Sequence, residues 1–400
     1  PPRSTLFPYT TLFRSIVFWV SVAVMFHSYV LYPLLLWFLM RIAKKAVFEE
    51  YTPNDELPFI SILIAAHNEE TVIAKKIESI NSTSYPLNKI EIIIGSDCST
   101  DSTNSIIKSF ETNQSNLKLV EFYERQGKIG VVNKLIDIAR GEIIISTDAN
   151  VFFEEDTIFE LVKRMKDSSI GLVDSRMVNT GLNQSGISIQ ESTYITHEVL
   201  VKYREGVLWG TMIGPFGGCF AIRKELFVKP PENFLVDDFY INMKVLEQGK
   251  KCLNNLEARV YEDVSNELSE EFRRKVRIAQ GNFQNLKTFR KMLWPPTKPL
   301  AFAFMSHKVI RWIGPLFIIL AIISVLFLQS ILFYRIVVLA IGVIILIPFV
   351  DFLLKKLKVN LVLLRFVTHF FSMNIALLVG LIKYLKGVNS NVWQPTQRNQ

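Results

Sequence analysis

Short apolar runs that end abruptly in polar clusters define the central part of this chain. Residues 57–66 are mostly aliphatic and lead into the polar residues 67–69, and residues 90–95 lead through a serine into Asp97. Between the two runs, residues 71–80 carry apolar side chains at helical spacing. Strand, helix and strand in this order form the βαβ unit of a parallel sheet, in which ligands bind beyond the carboxyl ends of the strands. The sequence therefore predicts a ligand site around residues 67–69 and Asp97.

The same alternation continues along the chain and predicts one α/β domain over residues 57–290. A polar, proline-containing segment at residues 49–56 precedes it. The further predicted elements are strands over residues 117–123, 142–147 and 170–177, and helices over residues 127–136, 156–166 and 239–247. A glycine-rich stretch at residues 210–223 ends in an apolar run. Strands and helices that alternate at this length are typical of a mostly parallel sheet covered by helices.

Four long apolar segments flank this domain, and about 20 apolar residues suffice to cross a bilayer. Residues 16–40 and 312–334 contain no Asp, Glu, Lys or Arg, and residues 336–354 contain only Asp351 among these types. We predict a transmembrane helix for each of the three. Residues 366–382 include a histidine and an asparagine, so for them a transmembrane helix and a re-entrant helix both stay open.

The residues after the first apolar segment predict its orientation. The segment is longer than the apolar part of a signal peptide, and no small-residue cleavage site follows it. Arg41, Lys44 and Lys45 follow it instead, and basic residues mark the cytoplasmic end of a membrane helix. We therefore expect the α/β domain to lie in the cytosol.

Two further segments differ in character from these elements. Residues 1–15 do not begin with Met and look like the translation of a sequencing adapter, so we exclude them from reasoning about the fold and expect the natural N-terminus to be missing. Residues 291–308 mix aromatic and basic side chains, such as Trp294 and Lys298. This mixture predicts an interfacial segment that lies on the membrane surface.

The composition agrees with a membrane protein and argues against nucleic-acid binding. Half of the residues are hydrophobic, and the net charge of +8 comes largely from basic residues that flank the apolar segments. We interpret this charge as orientation against an anionic membrane. Cys98, Cys219 and Cys252 are spaced too irregularly for a metal site or a disulfide framework, and we expect them to be small apolar side chains.

Several carboxylates follow the apolar runs and suggest chemistry. Asp97 and Asp148 each follow a predicted strand, and Asp237 and Asp238 precede a predicted helix. A single aspartate at such a position is usually a turn former or a helix cap, but several in one α/β domain are expected to meet at one edge of the sheet. Oxygen ligands such as Asp148 and Asn150 suit Mg²⁺ or Mn²⁺, and a nearby carboxylate can accept a proton from a hydroxyl. Arginines in a later helix can bind a diphosphate through their guanidinium groups.

This set of motifs, in this order and spacing, resembles membrane-bound family 2 glycosyltransferases with the GT-A fold, a group that includes cellulose, hyaluronan and poly-N-acetylglucosamine synthases. The resemblance covers roughly residues 16–385. It implies inverting transfer of a sugar from a nucleotide-diphospho-sugar, expected to be a UDP-sugar, to a hydroxyl of a glycan or lipid-linked acceptor. It also implies a divalent metal, Mg²⁺ or Mn²⁺, and a bacterial-type plasma membrane.

The resemblance assigns roles to individual residues of this chain. The implied site residues are Asn68, Glu69 and Asp97 for the nucleotide, Lys128 and Asn133 for closure over the donor, Asp148 and Asn150 for the metal, Gly217 and Gly218 for an acceptor-side loop, Asp238 beside Asp237 for the general base, and Arg274 and Arg277 for the diphosphate. Among these, Asp238 and Arg277 are expected to be catalytic.

The chain departs from the family pattern at three positions, and these departures keep other functions open. Asn150 stands where the family has a second metal-binding aspartate, Ile278 where it has a tryptophan and Arg274 where it has a glutamine. Because an aromatic face stacks on sugars, Ile278 argues against processive polymer synthesis. The alternatives are transfer of one sugar to a polyprenyl-phosphate or lipid acceptor, and a catalytically silent membrane scaffold. A channel or transporter is disfavoured because the apolar segments carry few ionisable groups.

Overall fold

A computed structural model describes residues 6–43, 47–181, 188–263, 267–357, 359 and 361–387. Residues 1–5 lie outside the described residues. So do Lys44 and Lys45, on which the predicted orientation partly rests. In the described part of the chain, eight strands form one sheet in the order β3-β2-β1-β4-β7-β6-β8-β5. The strands are β1 Ile60–Ala66, β2 Ile90–Asp97, β3 Leu117–Phe122, β4 Ile143–Asp148, β5 Phe152–Phe153, β6 Ile170–Thr180, β7 Cys219–Arg223 and β8 Lys251–Asp263.

Helices cover both faces of the sheet and extend beyond it at both ends of the chain. The α-helices are α1 Leu6–Phe26, α2 Tyr32–Ile42, α3 Ile73–Asn81, α4 Thr103–Asn113, α5 Gly127–Ile138, α6 Thr157–Lys163, α7 Ser188–Trp209, α8 Asp237–Glu247, α9 Leu268–Phe289, α10 Pro299–Ala303, α11 Ile310–Trp312, α12 Gly314–Leu326, α13 Leu332–Lys356 and α14 Val362–Lys386. Two π-helical turns, His27–Leu31 and Phe304–Val309, join α1 to α2 and α10 to α11.

The first half of the sheet is parallel and aligns the polar strand ends. β1 pairs in parallel with β2 and β4, so Ala66 lies beside Ser96 and Ala65 beside Asp148. The strands are apolar along their length because helices bury both faces of a parallel sheet. The predicted strands and the βαβ unit are confirmed here.

The second half of the sheet is mixed, and this brings a loop to the same edge. β7 runs antiparallel between β4 and β6, with Thr147 beside Cys219. The start of β7 therefore meets the end of β4, and Asp148 donates its backbone N–H to the carbonyl of Gly218 at 2.9 Å. An antiparallel strand is thus what places the glycine-rich stretch at the aspartate.

The long strand β8 and the helices α7 and α9 carry no strong sequence signal. The apolar pattern of β8 is interrupted by Asn254 and Asn255, which are both buried. Asn254 Nδ2 donates to Asp174 Oδ2 at 3.0 Å, and Asn255 Nδ2 donates to the carbonyl of Glu160 at 2.7 Å. The side-chain NH₂ groups of both asparagines thus have partners inside the protein, although their sequence is typical of a loop.

The apolar segments form helices with boundaries that differ from those expected. Within the part of the chain that the structure describes, Tyr9–Ile42, Leu332–Lys356 and Val362–Lys386 are long and apolar enough to cross a membrane. Residues 312–334 do not form one helix, because α12 ends at Leu326 and α13 begins at Leu332. Instead Pro299–Trp312 and Gly314–Leu326, bent by 61°, form a fourth candidate span if they are counted together.

The segment predicted to lie on the membrane surface is partly enclosed by protein. Trp294 is 76% exposed, whereas Phe304 and His307 are completely buried. The later residues of the segment 291–308 thus pack inside the molecule. A position on the membrane surface stays a prediction for the part near Trp294.

A membrane-type helix packs directly on the α/β domain. A Cβ placed on Gly380 of α14 would lie 2.4 Å from Cβ of Ala279 in α9, so only glycine permits this approach. Nearby, the rings of Phe283 and Tyr384 lie 6.0 Å apart. α9 is the helix that carries Arg274 and Arg277, so the domain and the apolar helices form one continuous structure around that helix.

Candidate active site

The three aspartates that follow separate apolar runs line one cavity. Asp97, Asp148 and Asp238 face a cavity of about 810 Å³ at the carboxyl ends of β1, β2 and β4. The other predicted site residues that line it are Glu69, Lys128, Asn150, Gly217, Gly218, Asp237, Arg274 and Arg277. The predicted convergence of carboxylates on one edge of the sheet is therefore observed.

Asp97 organises the wall of the cavity between β2 and α5. Its Oδ1 accepts from the backbone N–H of Gln126 at 2.6 Å, and its Oδ2 accepts from Gly127 N and Arg125 Nε at 3.0 Å each. Arg125 Nη1 also lies 2.6 Å from His67 Nε2, whose Nδ1 is 2.7 Å from the carbonyl of Asp97. His67 is therefore a structural hydrogen-bond partner of Asp97 and Arg125. Arg125 lies in a loop and had no signal in the sequence.

Asp148 forms an ion pair at the centre of the cavity. Lys128 Nζ lies 2.6 Å from Asp148 Oδ1 and donates to the carbonyl of Gly217 at 3.2 Å. Burial acts to lower the pKa of Lys128, but the charges of Asp148, Asp237 and Asp238 raise it overall. Three carboxylates thus act on one ammonium group. This part of the cavity favours positive charge.

The position of Asn150 adds a carboxylate that sequence reasoning missed. Asn150 Nδ2 donates to Glu262 Oε1 at 2.9 Å, and Glu262, at the end of β8, lines the same cavity. The described residues contain no group of three His, Cys, Asp or Glu side chains arranged to hold a metal ion. Mg²⁺ and its relatives need only one or two carboxylates when phosphate oxygens supply other ligands. Asp148 with Asn150 and the nearby Glu262 fits that pattern.

Asp238 lies at the N-terminus of α8, where it is partly buried. Burial and the neighbouring charge of Asp237 raise the pKa of Asp238 to about 7. A Cβ added to Gly217 would lie 2.8 Å from Asp238 Oδ2, so the glycine loop lies directly against this carboxylate. A carboxylate with a pKa near neutrality can exchange a proton with a substrate hydroxyl at physiological pH.

The two predicted arginines have different surroundings. Arg277 Nη1 donates to the carbonyl of Leu235 at 3.2 Å, and Asp237 is the main charge that acts on it. Arg274 is held by two carboxylates, with Nε 2.9 Å from Glu271 Oε2 and Nη2 3.2 Å from Glu191 Oε1. Arg277 is therefore the better placed of the two to meet an anionic ligand.

Two predicted site residues do not line the cavity. Asn68 adopts a left-handed conformation with a φ of 54°, and its Oδ1 accepts from Thr100 N at 2.9 Å. It stabilises the turn after β1 from an exposed position. Asn133 lies on α5 and donates its Nδ2 to the carbonyl of Pro230 at 3.0 Å. The structure does not bring either residue together with the three aspartates.

The residues around this cavity match a known protein family. Residues 61–229, which contain Asp97, Asp148 and the glycine loop, match the family described as glycosyl transferase family 2. These residues form a family 2 glycosyltransferase domain. The predictions of a family 2 domain and of the GT-A fold are confirmed, with a mixed sheet in place of a mostly parallel one, and the transferase activity stays a prediction.

Two similar proteins are named as synthases of a glycolipid and of a polysaccharide. The chain is 34% identical over 122 residues to a beta-monoglucosyldiacylglycerol synthase of Nostoc sp., covering 30% of this chain and 26% of that protein. It is 26% identical over 283 residues to a poly-beta-1,6-N-acetyl-D-glucosamine synthase of Staphylococcus epidermidis, covering 68% of this chain and 66% of that protein. The chain thus spans only about a quarter of the first of these relatives.

A solved structure shares the fold over most of the chain. The mannosyltransferase of Pyrobaculum calidifontis, solved with GDP-mannose and Mn²⁺, superposes with a TM-score of 0.68 at 22% identity. The superposition covers 92% of this chain and 99% of that one. Its extent includes apolar helices outside the family 2 domain, and these helices indicate a membrane protein.

Proposed function

We propose that this protein is an inverting glycosyltransferase that moves a sugar from a nucleotide-diphospho-sugar, a UDP-sugar, to a hydroxyl acceptor at the cytosolic face of a bacterial-type plasma membrane. The observation that carries the proposal is the single cavity lined by Asp97, Asp148 and Asp238. The family 2 domain and the named relatives, which make glycolipids and polysaccharides, support it.

The donor lies along the ends of β2 and β4. Asp97 and Arg125 border the end where the nucleoside binds, and Glu69 lines the same wall. Asp148 and Asn150, with Glu262 nearby, would hold a divalent cation, Mg²⁺ or Mn²⁺, which would supply positive charge to the diphosphate. The cation-favouring surroundings of Lys128 and the Mn²⁺ in the related mannosyltransferase structure support this assignment.

The acceptor hydroxyl lies at Asp238. Its carboxylate takes the hydroxyl proton while the oxygen attacks the anomeric carbon, and the bond from that carbon to the diphosphate oxygen breaks. One displacement inverts the anomeric centre. Arg277 stabilises the negative charge that leaves with the nucleoside diphosphate. The charges of Asp237 and Asp148 both act on the pKa of its guanidinium group.

The membrane orientation follows from charges at the helix ends. Arg41 lies in the last turn of α2, and Lys355 and Lys356 lie in the last turn of α13. Basic residues next to apolar helices favour the cytosolic side. We place the α/β domain on that side, where nucleotide-sugars are made.

The test uses the purified full chain in detergent with Mn²⁺ and a panel of UDP- and GDP-sugars. Release of nucleoside diphosphate and the mass of the product are measured for the wild type, for Asp238→Asn and for Asp137→Asn. Asp137 is an exposed carboxylate on α5 that pairs with Lys229 outside the cavity, and it serves as the control. We expect Asp238→Asn to lose transfer by a factor of about 10² to 10⁴ and Asp137→Asn to match the wild type.

The rival function is a catalytically silent membrane scaffold. The replacement of a metal-binding aspartate by Asn150 motivates it, but Glu262 beside Asn150 restores a carboxylate to that part of the cavity. Absence of both hydrolysis and transfer from every donor, with Asp238→Asn indistinguishable from wild type, would establish the scaffold.

A further inference from the structure

The cavity extends past Asp238 to the apolar helices. On that side it is lined by Tyr29 in the first π-helical turn and by one face of α14, formed by Phe366, Phe370, Met373 and Leu377. These four residues recur at spacings of four, three and four, as expected for one helix face. Phe366 and Phe370 are also 38% and 43% exposed. The cavity therefore has an apolar end. Its wall belongs to α14, a candidate membrane helix, and is partly exposed at the surface of the protein.

The charged side chains between the two ends are already paired. Glu198 of α7 binds three side chains of the segment that follows α10, with oxygens 2.6 Å from His307 Nε2, 2.6 Å from Lys308 Nζ and 2.7 Å from Arg311 Nη1. Burial acts to raise the pKa of Glu198, but these partners hold it well below its usual range. Lys275 Nζ likewise lies 2.9 Å from Glu191 Oε1.

This pairing bears on the charge of the ligand. A phosphate at the apolar end would compete with Glu198 and Glu191 for cations that already form ion pairs, and it would add negative charge beside two carboxylates that are largely buried. An uncharged head group leaves every one of these ion pairs intact. Because these cations already have carboxylate partners, the wall favours a neutral ligand over a lipid phosphate.

The polar groups of α14 also limit the ligand. His369 lies 3.3 Å from Glu191, and Asn374 donates its Nδ2 to the carbonyl of Phe370 at 2.8 Å. Within the described part of the chain, Asn374 Oδ1 is buried without a hydrogen-bond partner. Gln190 Oε1 and Arg311 Nε, on other residues that line this cavity, are also buried without a hydrogen-bond partner among the described residues. These few polar atoms suit a small hydroxylated head group, whereas a sugar chain would need partners along the whole apolar face of α14.

We infer that the acceptor is an uncharged lipid alcohol, with its hydroxyl at Asp238 and its apolar chains along the face of α14 formed by Phe366, Phe370, Met373 and Leu377. This inference rests on the proposed function and names its acceptor class. An alcohol needs a general base to lose its proton as it attacks, whereas a phosphate oxygen is already ionised at neutral pH. The lipid oxygen forms the bond to the anomeric carbon, its proton moves to Asp238, and the electron pair of the broken bond leaves with the nucleoside diphosphate.

The acceptor class is tested with the full chain in phosphatidylcholine nanodiscs and the donor that the release screen identifies. Dioleoylglycerol, a polyprenyl phosphate and a soluble oligosaccharide compete as acceptors, and products are weighed by mass spectrometry. We expect one sugar on dioleoylglycerol, at a rate at least about tenfold above the other two. Preferred glycosylation of the phosphate, or a polymer on the oligosaccharide, overturns the inference and leaves the proposed function standing. A wild type that releases no nucleotide from any donor overturns the proposed function itself.

A pair of variants on one helix tests the binding face. Met373→Trp narrows the apolar end, while Ile375→Trp adds the same bulk at a residue that is 52% exposed and does not line the cavity. We expect Met373→Trp to raise KM for dioleoylglycerol by about tenfold or more, and we expect Ile375→Trp to leave that KM at the wild-type value. Equal effects of the two variants, or no effect of Met373→Trp, contradict the inference.

A binding measurement provides a readout that does not depend on turnover. A diacylglycerol analogue with a diazirine in its acyl chain is photolysed with the wild-type protein in nanodiscs, and labelled peptides are identified. We expect label on α14 that excess dioleoylglycerol removes. Label confined to α13, or label on α14 that does not compete, overturns the placement of the lipid.

Discussion

Lys128 Nζ lies 2.6 Å from Asp148 Oδ1, and this ion pair joins the first turn of α5 to the end of β4 across the cavity. α5 is the helix whose N-terminus Asp97 holds. The pair therefore links the nucleoside end of the cavity to the carboxylate assigned to the metal. Under the proposed function, a donor with its cation would compete with the Lys128 ammonium for the same carboxylate.

Removing the ammonium is expected to move the pH profile of the enzyme. Lys128 lowers the pKa of Asp238 by its charge, so Lys128→Met raises that pKa further. Because the deprotonated carboxylate is the active base, the rise of kcat/KM moves to higher pH, by about one unit. Profiles of nucleotide release measure the shift. Lys229→Met, which removes an exposed lysine outside the cavity, is the control, and a shift to lower pH would contradict the assignment.

The wild-type profile itself reports Asp238. With a pKa of about 7, kcat/KM should fall about tenfold per pH unit below that value and level off above it. Asp238→Asn should give a low and flat profile. The measurement is transfer rate between about pH 5.5 and 8.5 with the donor well below KM. A wild-type rate that stays constant across this range would remove Asp238 from the role of base.

The same variant should be more stable than the wild type. The folded-state pKa of Asp238 lies above the ordinary value of 3.8, so the ionised carboxylate costs stability that is absent at low pH and grows as pH rises toward about 7. Asp238→Asn removes this cost and should add about 1 to 3 kcal/mol at pH 8, and less at pH 5. Thermal unfolding in detergent without metal compares the two. A variant that is both inactive and less stable would indicate a structural role.

Lys76 is expected to position the segment that contains Asp148 and Asn150. It is completely buried, its Nζ donates to Thr147 Oγ1 at 3.0 Å and to the carbonyl of Val151, and the ammonium lies 3.5 Å from the centre of the Phe153 ring. Burial lowers its pKa to about 7. The two acceptors flank the metal motif on both sides.

Lys76→Met should therefore affect more than stability. The loss of two buried hydrogen bonds is expected to cost about 1 to 3 kcal/mol. We also expect the Mn²⁺ concentration for half-maximal nucleotide release to rise about tenfold. The reason is that the segment with Asp148 and Asn150 loses the hydrogen bonds that Lys76 donates to its two ends. Lys75→Met, at the exposed neighbouring position, is the control. A lower Tm with an unchanged Mn²⁺ requirement would make Lys76 a purely structural residue.

The strands that carry Asp97 and Asp148 could be predicted because a strand buried on both faces must be apolar and the chain must become polar where it leaves the sheet. Asp238 was predictable only as one aspartate before a helix, and its role came from a resemblance. Arg125 and Glu262 could not be predicted, since the first lies in a loop and the second ends a strand whose core includes buried asparagines. Asn68 and Asn133 have polar side chains that the fold uses for a turn and for a loop contact.

The hydrophobic pattern alone was enough to predict an α/β domain between apolar helices and the order of its carboxylates, because hydrophobic periodicity is a local property of the chain. The folded structure was needed to show that Asp97, Asp148 and Asp238 share one cavity, that Glu262 contacts Asn150 and that α14 lines the far end of the cavity. These relationships depend on strand order and on the packing of α14 against α9, which join residues far apart in the chain. No local pattern encodes such distances, since the same strands in another order would separate the same side chains.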